Sequence, residues 1–179
     1  MIYLIRHGEA SAGWGHAEDP GLSERGHRQA EAVARSLEPE TVRQIVASPM
    51  ARCQQTALPY AALSGLSLTT EPSVSEIPTP EGLSDRVAWL RGFMAGSWDD
   101  ALPLLHDWRT RLIDAVTALP DETAVFTHFI AINTVTGYLE GSREVTTFRP
   151  GHCSVTCLSK SREGLRLESL GSEAATQIL

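Results

Sequence analysis

The stretch Ile2–Ala10, IYLIRHGEA, decides how the rest of the 179-residue chain is read. Ile2–Ile5 is a short apolar run with β-branched ends, the pattern of a strand buried on both faces. A buried strand has no use for charge at its end, and a surface turn has no need of a histidine. Arg6 and His7 therefore stand where a sheet delivers reactive groups. Gly8 lets the backbone come close to whatever the histidine meets.

Working outward, residues 8–21 are rich in Gly, Ala and Ser, contain Pro20, and read as a loop. Ser23 can cap a helix whose Ala30, Val33, Ala34 and Leu37 make one apolar stripe, with Pro39 as its stop. RQIVAS (43–48) reads as a second buried strand. Ser48 and Pro49 then look like the N-cap and first residue of a helix that runs to about Leu63 and closes at Gly65. LSLTTE (66–71) is a third strand, and residues 72–83, with three prolines, form a loop. Ser84 caps a short helix carrying Val87, Trp89, Leu90, Phe93 and Met94. A longer helix covers roughly Asp100–Leu119.

TAVFT (123–127) is a fourth strand, and His128 opens the segment leading into another helix. CSVTCL (153–158) and LRLESL (165–170) alternate like a terminal hairpin around SKSREG. Strands alternating with helices predict one α/β domain over residues 1–179. Its three layers should hold a mostly parallel central sheet flanked by helices, with an antiparallel edge from the C-terminal hairpin.

The composition, 42% hydrophobic and 21% charged, is that of an ordinary soluble globular protein. No apolar run approaches the roughly 20 residues of a membrane helix, and Ile2–Ile5 is too short for a signal-peptide core. A cytoplasmic location is the expectation. A net charge of −7 argues against nucleic acid or an anionic membrane as partner. Cys53, Cys153 and Cys157 form no C-x-x-C and read as reduced thiols. No histidine pair has metal-ligand spacing, so neither a metal nor a cofactor is expected.

In an α/β sheet the ligand crevice lies beyond the carboxyl ends of the strands. The first strand brings Arg6 and His7 there, the helix after the second brings Arg52, and the fourth brings His128. Guanidinium forks bind phosphate oxygens bidentately, and helix N-termini add amide donors. The natural guest is an anionic, tetrahedral group.

LIRHGEA, LSERGHRQAEAVA, ASPMARCQQTA and FTHFIAIN resemble, in that order, the signature segments of the histidine phosphatase superfamily. This is the phosphoglycerate-mutase-like family of the R-H-G-[ED] motif, and the resemblance runs from Ile2 to about Leu158. It implies that His7 is the nucleophile taking the phosphoryl group and that Arg6 and Arg52 hold the phosphate. It further implies that His128 is the second phosphate-pocket histidine. Glu76, in VSEIP, matches the carboxylate that protonates the leaving group and later activates water. Glu81, five residues on, is the competing candidate for that acid. His16, His27, His106 and His152 are expected to be solvated or locally bonded, with His152 near the pocket rim.

Two departures stand out. The family usually has a glycine directly after the second histidine, where this chain has Phe129, and often an arginine farther on, where Asn133 stands. A bulky Phe129 should narrow the pocket or alter its backbone.

The resemblance leaves three activities. A phosphatase passes the phosphoryl group from His7 to water; a mutase returns it to another hydroxyl; a non-catalytic module only binds phospholigands. Mutases resemble longer chains with a Trp-Asn pair soon after the first motif. Here Trp14 is followed by Gly15, which favours a metal-independent phosphoric monoester hydrolase. Its partner would be a phosphorylated small molecule or a phosphoprotein. Residues 72–105 are expected to form a variable lid. In it Arg86 and Arg91 either read a second anionic group or lie solvated over a small apolar subcore built on Trp89, Phe93 and Trp98.

Overall fold

The computed structural model describes residues 1–13, 19–37 and 41–174. β1 (Ile2–Arg6) lies parallel to β4 (Thr123–Thr127), with Ile2 opposite Thr123 and Arg6 opposite Thr127. β2 (Gln44–Ala47) runs parallel on the other flank of β4 and takes β3 (Leu68–Thr70) at the sheet edge. β5 (Val155–Ser161) is antiparallel to β1, and β6 (Gly164–Ser169) closes the far edge antiparallel to β5. The order is β3-β2-β4-β1-β5-β6. The expected parallel sheet with an antiparallel hairpin edge is what the chain builds.

Five helices cover it: α1 (Glu24–Ser36), α2 (Ala51–Ser64), α3 (Arg86–Met94), α4 (Pro103–Ala118) and α5 (Phe129–Leu139). Successive strand residues face opposite ways, and that sorts the core into two clusters. Ile2, Leu4, Val46 and Val125 pack with Leu105 and Leu112 of α4 and Ile132 of α5. Ile5, Ile45, Ala124 and Phe126 pack with Val33 and Ala34 of α1 and Ala57 and Tyr60 of α2. Each fully buried aliphatic side chain contributes about 1.5–3 kcal/mol of hydrophobic free energy. The result is three layers.

Several boundaries differ from the sequence reading. β3 keeps only three residues, Leu68–Thr70. Asp85, not Ser84, caps α3, its side chain accepting from the Ala88 amide. α4 starts at Pro103, because Trp98–Asp100 form a separate 3-10 turn capped by Ser97. Helix α2 starts at Ala51 with Met50 as N-cap and no side-chain cap of its own. Ser48 is drawn inward to His128 instead, and Asp19 reaches across from the preceding loop to accept from the Ala51 amide at 2.9 Å. Pro39 lies outside the described residues.

The segment from Pro72 to Leu105 is anchored to the α4/α5 side: Val74, Ile77, Leu90, Trp98 and Leu105 belong to the core cluster there. Among the described residues no helix is long and apolar enough to cross a membrane. The three cysteines are free thiols.

Candidate active site

The parallel strands end along one edge, and backbone bonds carry the sheet geometry past those ends. The His7 amide donates to Thr127 O at 3.0 Å, and the Ser48 amide to Phe126 O at 3.0 Å. His7, Ser48 and His128 are thus fixed relative to one another before any side chain is considered.

The His7 ring is 5% exposed and meets the His128 ring edge-on, with centroids 5.3 Å apart. Its Nδ1 lies 2.7 Å from Gly8 O, and a carbonyl can only accept, so Nδ1 carries the proton. Nε2 is then the bare nitrogen, and Arg52 Nε donates to it at 3.3 Å. The backbone therefore aims one imidazole lone pair at a guanidinium. Burial, then the neighbouring His128, Arg6 and Arg52, push the His7 pKa well below its ordinary value and keep the ring neutral.

The same logic fixes His128, which is fully buried. Arg52 Nη2 can only donate, so His128 Nδ1, at 3.2 Å, accepts. The ring proton is on Nε2, 2.8 Å from Ser48 Oγ and 3.4 Å from Cys53 Sγ. Burial and then Arg52 and Arg6 lower this pKa too. Arg52 thus binds both imidazoles, and its Nη1 stands 3.9 Å from Asp19.

Arg6 sits on the other flank. Its Nη1 donates to Pro150 O at 2.8 Å, and its guanidinium lies 5.3 Å from the Phe129 ring centroid. Arg6 Nε is buried with no hydrogen-bond partner. Burial lowers its pKa to about 10, which leaves it charged at neutral pH. Phe129 is therefore the platform under Arg6, a cation–π contact, rather than a plug in the pocket. Asn133 is turned away: its Nδ2 donates to Phe129 O, and its Oδ1 accepts from the Thr147 and Phe148 amides.

Glu76 completes the cluster. Its Oε1 accepts from the Ile77 amide and its Oε2 from the Ile130 amide, 3.3 Å away at the start of α5. Burial raises its pKa, opposed by those two amides and by Arg52 and Arg6. Glu81 is exposed and has none of these contacts. The structure thus gathers Arg6, His7, Arg52, Glu76 and His128 at one place and leaves Glu81 out.

Gly8 is also required by packing. A Cβ there would meet Gly26 O at 2.7 Å, so the space a side chain would take is filled by α1. Its amide donates to Thr56 Oγ1 at 3.0 Å, which ties the strand end to α2.

Sequence reasoning undervalued three residues. His152 is half-buried with its ring centroid 6.0 Å from that of His7, and burial followed by Arg6 lowers its pKa to about 4. Ser48 was legible only as a helix cap, although its place before Pro49 in the S-P-x-x-R segment was a usable signal. Asp19 carried no signal. His27 and His106 are exposed, while His16, Trp14 and Gly15 lie outside the described residues. The aromatics of the segment after Glu76 stack on one another: Trp89 on Phe93 at 5.6 Å, and Trp98 on Trp108 at 6.3 Å. They form the apolar subcore rather than a ligand cover.

Two neutral imidazoles, two guanidinia and a carboxyl of raised pKa thus stand together at the carboxyl edge of the sheet, where an α/β protein opens its crevice. The sequence profile of the histidine phosphatase superfamily (branch 1) matches residues 2–173, and the chain belongs to that family. An uncharacterised Mycobacterium tuberculosis protein is 30% identical over 161 residues, covering 80% of each chain. A probable phosphoglycerate mutase of Yersinia pestis is 37% identical over 83 residues, 43% of this chain and 38% of that protein. Among solved structures, phosphoserine phosphatase of Entamoeba histolytica, in complex with 3-phosphoglyceric acid, superposes with a TM-score of 0.76. It is 20% identical and covers 96% of each chain.

Proposed function

We propose that the protein is a metal-independent phosphatase that works through a phosphohistidine on His7. The observation that carries this reading is the fixed tautomer of His7, with its Nδ1–H donated to Gly8 O and its bare Nε2 turned to Arg52. A neutral imidazole is a competent nucleophile near pH 7 without a separate base.

In the first step the Nε2 lone pair attacks phosphorus and the bond to the leaving oxygen breaks. The protonated Glu76 carboxyl supplies the proton that oxygen needs, and its raised pKa suits it to that task. In the second step the Glu76 carboxylate takes a proton from water, the oxygen attacks phosphorus, and the P–N electron pair returns to Nε2. Arg52 and Arg6, with its unpartnered Nε, neutralise the oxygens of the transferring group. His128 steadies the Arg52 fork by accepting from its Nη2. Glu76 is favoured over Glu81 by its link to α5 and its coupling to both arginines. In this reading residues 72–105 select the organic part of the substrate.

The test is hydrolysis of p-nitrophenyl phosphate in EDTA, with rapid quenching at high pH to trap phosphoenzyme. Turnover with a base-stable, acid-labile phosphoryl group on His7 is expected. No hydrolysis of any phosphomonoester across the pH range would sink the phosphatase reading. Isomerisation of phosphoglycerates without release of phosphate would replace it with the mutase.

A further inference from the structure

Arg52 ties the two imidazoles together, and a third group faces the rest of its guanidinium. Nε donates to His7 Nε2 at 3.3 Å, Nη2 to His128 Nδ1 at 3.2 Å, and Nη1 stands 3.9 Å from the Asp19 carboxylate. We propose that Asp19 is the positioning residue for this fork: a fixed negative charge that keeps Arg52 aimed at the two imidazoles and lowers the affinity of the site for phosphate. The purpose of that aim rests on the phosphatase reading above; how Arg52 is held rests on the contacts alone.

The balance of charge comes first. Both imidazoles are neutral, so they accept from Arg52 without offsetting its positive charge. Arg52 is buried, and a buried cation is stable only beside a counter-charge. Among the described residues Asp19 supplies the carboxylate that pairs with it. Glu76 feels Arg52 as well, but its two oxygens are committed to the Ile77 and Ile130 amides.

Asp19 is itself held in place. Its two oxygens accept from the Ala51 amide at 2.9 and 3.1 Å, and Ala51 directly precedes Arg52 on α2. The charge is therefore fastened to the helix that carries the arginine, and it cannot follow a guanidinium that swings. At 3.9 Å the contact with Nη1 is too long for a hydrogen bond, so the pull is Coulombic. It acts on the one nitrogen of the fork that no imidazole takes.

Arg6 shows that a carboxylate was not the sole way to hold such a group. Its guanidinium is fixed by neutral partners, the Pro150 carbonyl and the Phe129 ring. A carboxylate beside Arg52 repels the phosphate that the fork is there to receive, which makes it a poor choice for affinity. It is a good choice for aim, because Arg52 must keep both imidazoles in register while the phosphoryl group moves. A displacement of about 1 Å in such a group costs up to about 10²-fold in rate.

The experiment compares the parent with Asp19→Asn. Asn keeps an oxygen for the Ala51 amide and gives up only the charge, so a residue that merely capped α2 would tolerate the change. With p-nitrophenyl phosphate as substrate, the variant is expected to lose about tenfold in kcat as the fork drifts. Inorganic phosphate should inhibit it about threefold more tightly, because a repelling charge is gone. Unchanged kcat, or a loss of kcat without tighter phosphate inhibition, would overturn the assignment. If the parent hydrolyses no phosphomonoester, the phosphatase reading fails by itself, and the aim of Arg52 is read from nitrogen-15 shifts. His7 Nε2 and His128 Nδ1, the two nitrogens that accept from Arg52, should both move towards the values of unbonded nitrogens in Asp19→Asn. If either stays at its parent value, Asp19 does not hold the fork.

Discussion

The two walls of the site are made differently. One is the strand-end wall of His7, Arg52, His128 and Arg6, none more than 8% exposed and each hung on a strand end or the first turn of a helix. The other is the rim of Glu76 and His152, half-buried and carried by loops. The first wall is cross-tied: Arg52 alone reaches both imidazoles. The second has one link inward, from Glu76 to the Ile130 amide. Groups that must meet a transferring atom within a fraction of an ångström sit on rigid elements, while groups that meet a variable substrate hang from the periphery.

The sharpest way to break this contrast is His7→Ala. Turnover is expected to fall by about 10⁴ or more, roughly 5.4 kcal/mol in the barrier, because the other bare nitrogen on that wall, His128 Nδ1, belongs to a fully buried ring and is held by Arg52 Nη2. The fold should survive at some cost in melting temperature, since the ring lost is buried and bonded to both the Gly8 carbonyl and Arg52 Nε. Residual activity above about a tenth would move the nucleophile elsewhere.

The rim should answer more softly. Glu76→Gln is expected to lower kcat by about 10², and less for p-nitrophenyl phosphate, whose leaving group needs little protonation. The raised folded pKa of Glu76 means activity should decline as pH rises through it, and this limb should vanish in the Gln variant. A pH–rate profile unchanged by the substitution would remove Glu76 as the acid.

How much of this was legible depended on how local each cause is. Arg6, His7, Arg52 and His128 could be read because each lies within a turn of its strand, and the strand pattern alone sends it to the carboxyl edge. His152 could not be read, because its position depends on β5 pairing with β1 and on Cys153 taking a left-handed backbone (φ 57°). Ser48 looked like a cap until His128, eighty residues away, supplied a stronger partner. Gly8 showed that a glycine was required, but its reason, the Gly26 carbonyl, came from the packing of α1.

Gly8 also offers a change that strains the strand-end wall without removing chemistry. A Cβ pressed to 2.7 Å from the Gly26 carbonyl must push α1 away. Gly8→Ala should cost about 1–3 kcal/mol of stability in a urea titration. No measurable loss would mean the two backbones can separate freely. Acid sets a second strain. His7, His128 and His152 all have lowered pKa values, so the unfolded chain binds protons that the folded one refuses. Their stabilisation is complete above about pH 6.5 and lost as pH falls, each at up to about 1.4 kcal/mol per pH unit. The raised Glu76 works the other way, adding stability at low pH that is lost as pH rises through its folded value. Melting between pH 7 and 4 should therefore fall with pH, and His152→Asn should flatten the slope. An unchanged slope in that variant would take His152 out of the balance.

The smallest expected effect tests whether the strand-end wall owes its precision to the groups behind it. Ser48 Oγ holds the Nε2 proton of His128 at 2.8 Å and also accepts from the Met50 amide at 3.3 Å. Without it, that proton is left with Cys53 Sγ at 3.4 Å, a weak acceptor. Ser48→Ala should therefore cost about 1 kcal/mol, a few-fold in turnover, with the fold intact. Because Ser48 acts through His128, the decisive readout is the imidazole itself. Nitrogen-15 shifts of His128 should report Nε2–H in the parent and a mixed or shifted tautomer in the variant, with Ser48→Thr restoring the parent signal. If the tautomer and the rate both stay as they were, Arg52 on Nδ1 suffices to hold the ring, and the wall needs no support from behind.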